Sequence, residues 1–308
     1  MKSLFPTAIF RLLILALLAG GGLLTTACNK VEEVPDYSAA DAATIQKYLT
    51  DNAITNAQKQ PSGLYFIPVT TNATAPLATA NQVLSILYTG KLLNGSVFSS
   101  SAQNDDTPLS FRYGVDRLIS GLEEGLSLMH KGDKAILLIP SGLAYGPNAS
   151  TTIPANSVIR FEVELVDINS SFAVPDDNLI KRYLTKNNIT TAQKQPSGLY
   201  FVPTTTNAAG TPVAAGKTIS VLYTGKLLNG TVFDATSQRG NTPYSFVIGP
   251  GSQNITGFDE GISLMRKGEK ATLLLPSGLA YGARGSNSSN LIGPNTVLVF
   301  DVEVTDVK

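Results

Sequence analysis

The chain repeats itself once, at long range. Q-K-Q-P-S-G-L-Y-F at Gln58 to Phe66 returns at Gln193 to Phe201, and L-Y-T-G-K-L-L-N-G at Leu87 to Gly95 returns at Leu222 to Gly230, each 135 residues further on. P-S-G-L-A-Y-G at Pro140 to Gly146 returns at Pro276 to Gly282, displaced by 136. Solenoid repeats are only a few tens of residues long, so a period of this size is a whole domain. The 308 residues therefore divide into two copies of one unit, at 39–169 and 175–308, with the join in N-S-S-F-A-V-P from Asn169 to Pro175.

Each unit has one strongly patterned helix. In the second copy Ile255, Phe258, Ile262 and Met265 fall at i, i+3, i+7 and i+10, one apolar stripe of an amphipathic helix, with Asp259 and Glu260 on its polar side. The first copy has Ile119, Leu122, Leu126 and Met129 in the same places. Such a stripe needs a sheet to cover it. Strand-like runs at 218–228, 270–275 and 297–304 flank it, and Asn229-Gly230, like Asn94-Gly95, suits a type I′ hairpin turn. Ile45, Tyr48 and Leu49, or Ile180, Tyr183 and Leu184, mark a short helix that opens each unit, followed by the strand S-G-L-Y-F. The pattern predicts an α+β fold, in which each unit is a curved antiparallel half-barrel sheet wrapped around one short helix, with an extra N-terminal helix and strand.

The first 27 residues form a leader. Lys2 and Arg11 precede the apolar run from Leu12 to Leu24, which is short for a bilayer span and suits a secretory signal. L-L-T-T-A-C then ends on Cys28, the only cysteine, and resembles a bacterial lipobox, with Leu24 one place earlier than usual. The expectation is a signal peptide at 1–27, a lipidated tether at 28–38, and a protein anchored through Cys28 in the bacterial cell envelope, at the outer membrane, facing the periplasm or the cell surface.

The ordinary catalytic inventory is nearly empty. His130 is the sole histidine and is replaced by Arg266 in the second copy, so no repeated Ser-His-Asp or Cys-His relay and no His/Cys metal cluster can be built. It is expected as a solvent-facing residue at a helix end. The pairs Glu123-Glu124 and Asp259-Glu260 are expected as solvated charges, and G-P-G-S around Gly249 and Gly251 lacks the βαβ setting of a phosphate loop. With zero formal net charge and no basic cluster among aromatics, nucleic acid is excluded as a partner. What remains is a set of aromatics with one carboxylate.

Y-T-G-K-L-L-N-G-T-V-F-D, then G-F-D-E-G-I, then G-L-A-Y-G and L-V-F-D-V-E resemble the signature segments of FKBP-type peptidyl-prolyl cis-trans isomerases, over about 90 residues of each copy. The resemblance implies two tandem FKBP-like domains, an isomerase that needs no cofactor or metal, and proline-containing polypeptides and macrolides as ligands. It places Phe258 at the pocket floor, where the best-known members carry Trp. Tyr223, Phe246 and Phe300 become walls; Phe233, Tyr244 and Ile292 become the rim. The Ile255 backbone N–H and the Tyr281 hydroxyl would hold substrate carbonyls, and Asp234 would supply a polar contact at the edge.

In the first copy the counterparts are Tyr88, Phe98, Phe111, Ile119, Leu122, Tyr145 and Phe161, with Ser99 for Asp234 and Leu109 for Tyr244. The aromatic floor and the carboxylate are lost, so this copy is expected to be weak or inactive. The reading is a lipid-anchored foldase for exported proteins, active in its second domain. The alternative is a non-catalytic proline-peptide-binding or chaperone lipoprotein on the same scaffold.

Overall fold

The computed structural model describes residues 36–286 and 291–308. The first unit runs α1 (Ser38–Asp51), β1 (Gln58–Lys59), β2 (Tyr65–Thr70), β3 (Val83–Leu92), β4 (Val97–Ser100), β5 (Leu109–Arg112), α2 (Ser120–Ser127), β6 (Lys134–Ile139) and β7 (Ile159–Asn169). The second repeats the order: α3 (Ala173–Lys186), β8 (Gln193–Lys194), β9 (Tyr200–Thr205), β10 (Thr218–Leu227), β11 (Val232–Ala235), β12 (Tyr244–Val247), α4 (Thr256–Ser263), β13 (Lys270–Leu275) and β14 (Leu298–Val307). The first sheet has the order β1-β2-β6-β7-β3-β4 with β5 also on β3; the second has β8-β9-β13-β14-β10-β11 with β12 also on β10. The ladders within both sheets are antiparallel. This is the α+β architecture the pattern predicts.

Alternation along the strands gives each sheet two apolar faces, and each face finds a helix. In the second unit Phe258, Ile262 and Met265 pack with Ile219, Val221, Leu273, Leu275, Phe300 and Val302. Residues one step along the same strands, Tyr200, Val202, Leu274 and Val299, face the other way and meet Ile180 and Leu184 of α3. The first unit builds the same two layers around Leu122 and Leu126 on one side and Ile45 and Leu49 on the other.

α4 lies against the sheet with no spacer. A Cβ on Gly261 would come within 2.5 Å of Leu273, and one on Gly257 within 2.7 Å of Leu275. The helix is only eight residues long, so Ile255 is its N-cap and Met265 lies beyond its end, where the Leu264 and Met265 N–H groups close onto Gly261 and Ile262 carbonyls. The apolar stripe therefore runs past the helix at both ends.

Several expectations are corrected. The Asn-Gly turns are not type I′: only Gly95 (φ 92°) and Gly230 (φ 88°) have positive φ, while both asparagines keep negative values. Each is a three-residue loop in which the glycine N–H donates to the carbonyl of Leu92 or Leu227 and the asparagine Oδ1 accepts from the N–H two residues on. Pro175 is not in a linker but in the first turn of α3, where a missing N–H costs nothing. His130 is half-buried beside Asp133, whose carboxylate accepts its backbone N–H at 2.8 Å. Asp259 and Glu260 have partners, Asn254 at 2.8 Å and Ser197 at 2.6 Å. The expected leader and Cys28 lie outside the described residues, among which no helix is long and apolar enough to cross a membrane.

Gly225 of β10 tests the packing. A Cβ there would sit 2.6 Å from the Phe233 ring and 2.9 Å from Phe300, so both rings would have to give up the edge-to-face contact that holds them together. Gly225→Ala should destabilise the second unit by about 1–3 kcal/mol through overpacking. The check is denaturant unfolding, with the corresponding Gly90→Ala as the first-unit control.

Candidate active site

Across the second sheet the pairs Asp234↔Gly225, Gly225↔Phe300, Phe300↔Leu273 and Leu273↔Phe201 form one row. Gly225 is the gap in that row, and the rings of Phe233 and Phe300 close over it at 5.6 Å between centroids. β11 is bulged: Asp234 pairs with Gly225 and Val232 with Lys226, leaving Phe233 as the extra residue. Neighbours in an unbroken strand point to opposite faces, whereas a bulge turns two of them the same way. Phe233 and Asp234 consequently line one cavity.

That cavity has a volume of about 440 Å³. Phe258 forms its floor, 5.0 Å from Phe300 and 5.7 Å from Tyr223 between ring centroids, both edge to face. Such pairs are worth about 0.5–1.5 kcal/mol each beyond area burial. Exposure rises from floor to mouth: 4% at Phe258 and 6% at Phe300, against 38% at both Tyr244 and Tyr281. Ile292 and Ile255 complete the apolar lining. Among the described residues no acceptor takes the Ile255 backbone N–H, which leads into the first turn of α4.

Of the expected wall residues, Phe246 does not line the cavity. It stands behind it, stacked on Tyr244 at 5.2 Å and 6.1 Å from Phe258. The sequence reading also missed residues that do matter here. Asn254 lines the cavity, accepts from the Tyr244 hydroxyl at 2.8 Å and donates to Asp259 at 2.8 Å, bracing the segment that carries the Ile255 N–H. Gln253 and Ser286 are also in the lining.

Arg239 was the other omission. It donates to Asp234 Oδ1 at 2.5 Å and to the Tyr223 hydroxyl oxygen at 3.0 Å, with its guanidinium 5.8 Å from the Tyr223 ring centroid. The Tyr223 hydroxyl in turn donates to Asp234 Oδ2. Burial alone would raise the Asp234 pKa, but the hydrogen bonds from Arg239 and Tyr223 outweigh it and hold the carboxyl below its usual range. Burial, then the Asp234 hydrogen bond, pushes Tyr223 up to about 12. Burial and the Asp234 charge also raise Tyr281. At neutral pH the rim thus presents a fixed anion and two protonated phenols around an apolar floor.

The first unit keeps part of this. Tyr88 stacks on Phe161 at 5.9 Å, Phe98 meets Phe161 at 5.7 Å and Tyr145 at 6.2 Å, and Phe111 is buried. Ile119 is the N-cap of α2. The Tyr88 hydroxyl shares a 2.9 Å hydrogen bond with Ser99 in place of a carboxylate, and Leu122 is buried where the second unit has Phe258.

The second unit belongs to a class of α+β domains that hold a solvent-open aromatic pocket between a sheet and one short helix. The model of the FKBP-type peptidyl-prolyl cis-trans isomerases matches residues 75–166 and again 210–305, and the chain belongs to that family. Peptidyl-prolyl cis-trans isomerase FKBP9 of Homo sapiens is 29% identical over 231 residues, covering 75% of this chain and 36% of that protein. Its Rattus norvegicus counterpart is 34% identical over 221 residues, 71% of this chain and 34% of that one. FK506-binding protein 2 of Candida glabrata is 50% identical over 93 residues, 30% of this chain and 65% of its own. The chain thus spans about a third of the length of the first two relatives.

The Asp234 network sets a pH dependence. Its folded pKa lies below the ordinary 3.8, so its contribution to stability is present above that value and is lost as pH falls through the lower folded value. The difference in melting temperature between wild type and Asp234→Asn should be constant between about pH 6 and 9 and shrink below about pH 4. A difference that grows on acidification would contradict the assignment.

Proposed function

We propose that the chain is a peptidyl-prolyl cis-trans isomerase acting on X-Pro bonds of exported polypeptides, with its activity mainly in the second domain. The observation that carries this reading is the open cavity over Phe258, lined by rings below and by Asp234, Tyr281 and the Ile255 N–H at its mouth. Its size suits a prolyl ring with its flanking peptide, within the range of about 300–1,000 Å³ common for small-ligand sites.

The chemistry needs no nucleophile. Resonance holds the peptide bond planar behind a barrier of ~18–20 kcal/mol, and the planar amide is more charge-separated than the twisted one. An apolar aromatic floor therefore disfavours the planar ground state more than the rotated transition state. Fixed donors aimed at the rotated carbonyl add to the difference without reorganising during the step. Ile255 N–H and the Tyr281 hydroxyl fill that role, the latter kept protonated by burial and by the Asp234 charge.

The first domain, with Leu122 as its floor and Ser99 at its edge, reads as a binding or spacing module for proline-containing segments. Macrolide ligands of the family would compete at the second cavity. Lipid attachment at Cys28 and display in the cell envelope rest on L-L-T-T-A-C alone. Labelled palmitate should enter the wild-type chain in a lipoprotein-processing host and not Cys28→Ala; equal labelling would remove the anchor.

In the full-length chain Phe258→Leu, which installs the first unit's residue, should lower kcat/KM in a protease-coupled X-Pro peptide assay on the order of tenfold, about 1.4 kcal/mol of transition-state stabilisation. Ser99→Ala should stay within about twofold of wild type, since its hydroxyl serves Tyr88 of the first domain and not the second cavity. An inactive wild type, or a Phe258→Leu chain as active as wild type, would refute the proposal.

A further inference from the structure

Asp176 lies in the first turn of α3 and is 2% exposed. Its Oδ2 accepts two hydrogen bonds from Ser277, from the backbone N–H at 2.8 Å and from the hydroxyl at 2.7 Å, across 101 residues of chain. Ser277 is itself 1% exposed and begins the 3-10 turn Ser277–Leu279. Tyr281 follows four residues later, with its ring at the mouth of the cavity. Among the described residues Tyr281 makes none of the ring contacts that lock Phe233, Phe258 and Phe300 together. Its place depends on the turn beneath it.

We infer that Asp176 is a positioning residue of the second site, holding Ser277 so that the turn presents the Tyr281 hydroxyl to a substrate carbonyl. The inference rests on the isomerase reading above. A carboxylate in a helix's first turn ordinarily serves its own helix's free N–H groups; this one is committed to another segment. Burial raises its pKa despite the two hydrogen bonds, so the stability that goes with its protonated form is lost as pH rises through the folded value. The arrangement occurs twice: Asp41 of α1 accepts from Ser141 at the same 2.8 and 2.7 Å, ahead of Tyr145. Both aspartates lie outside the family-matched spans, which begin at 75 and 210. The N-terminal helix of each unit thereby reaches the pocket without touching it.

The test uses the full-length chain and an X-Pro peptide, with rates normalised to the folded fraction. Asp176→Ala should lower kcat/KM roughly tenfold, as misplacement of a reacting group does, and Asp176→Asn, which keeps an acceptor for Ser277, should recover most of it. Asp41→Ala makes the same lesion in the first unit and should lower the melting temperature comparably with kcat/KM unchanged. Combined with Tyr281→Phe, Asp176→Ala should cost no more than about a further twofold, because the two act through one hydroxyl. Wild-type kcat/KM in Asp176→Ala, or effects of the two substitutions that multiply in full, would overturn the role. If Asp176→Ala does not fold, Ser277→Ala and Asp176→Asn carry the same comparison. Wild type without activity sinks the isomerase reading and this role with it, whereas an active wild type unaffected by Asp176 sinks this role alone.

Discussion

The second domain depends on how closely α4 approaches its sheet. Gly257 and Gly261 leave no side chain between the helix and Leu275 and Leu273, so the next residue round the helix, Phe258, is pressed edge to face against Phe300 and Tyr223. A spacer residue would lift the helix and separate the rings. Interiors are packed at crystal-like density and have little room to absorb such a shift. The pocket is therefore a by-product of a packing constraint: the floor is rigid because it is also core. Gly225 does the same from the sheet side, leaving space that Phe233 and Phe300 occupy.

Around that floor the polar groups are fixed rather than titratable near neutral pH. Asp234 is held as an anion by Arg239 and Tyr223, and the phenols are held protonated. This suits a reaction whose transition state differs from its ground state in charge separation and shape, and which transfers no proton. The two domains differ at few positions in this respect. The first unit has Leu122 where the second has Phe258 and Ser99 where it has Asp234, so it keeps an apolar buried residue under the sheet but has neither the floor ring nor the rim charge.

Much of this was legible in the sequence because the repeat gave two readings of every segment. The apolar stripe from Ile255 to Met265 located the helix, and the aromatics of the signature segments located the pocket. Where structure and sequence part, pattern does not encode how far along a strand a cavity reaches or which residue of a turn takes positive φ. Phe246 shares a strand face with Tyr244, as alternation implies, but lies two residues further along β12, stacked on Tyr244 at 5.2 Å and outside the cavity lining. Phe233 and Asp234 both line the pocket as the resemblance implies, although neighbours alternate in a regular strand; the bulge, invisible in composition, is what brings both inward. The Asn-Gly pairs signalled a turn correctly, but the glycine alone takes positive φ and the asparagine side chain caps the loop instead. Arg239, Asn254 and Asp176 could not be singled out, since their partners are set by tertiary contact and not by spacing.

The account's central claim is that a prolyl residue enters the cavity over Phe258. The most direct measurement is the set of intermolecular nuclear Overhauser contacts between the proline ring protons of an X-Pro peptide and the aromatic protons of the full-length chain. The account predicts contacts to Phe258, Tyr223 and Phe300. Contacts confined to Tyr88 and Phe161 of the first domain, or to no aromatic of either domain, would contradict it.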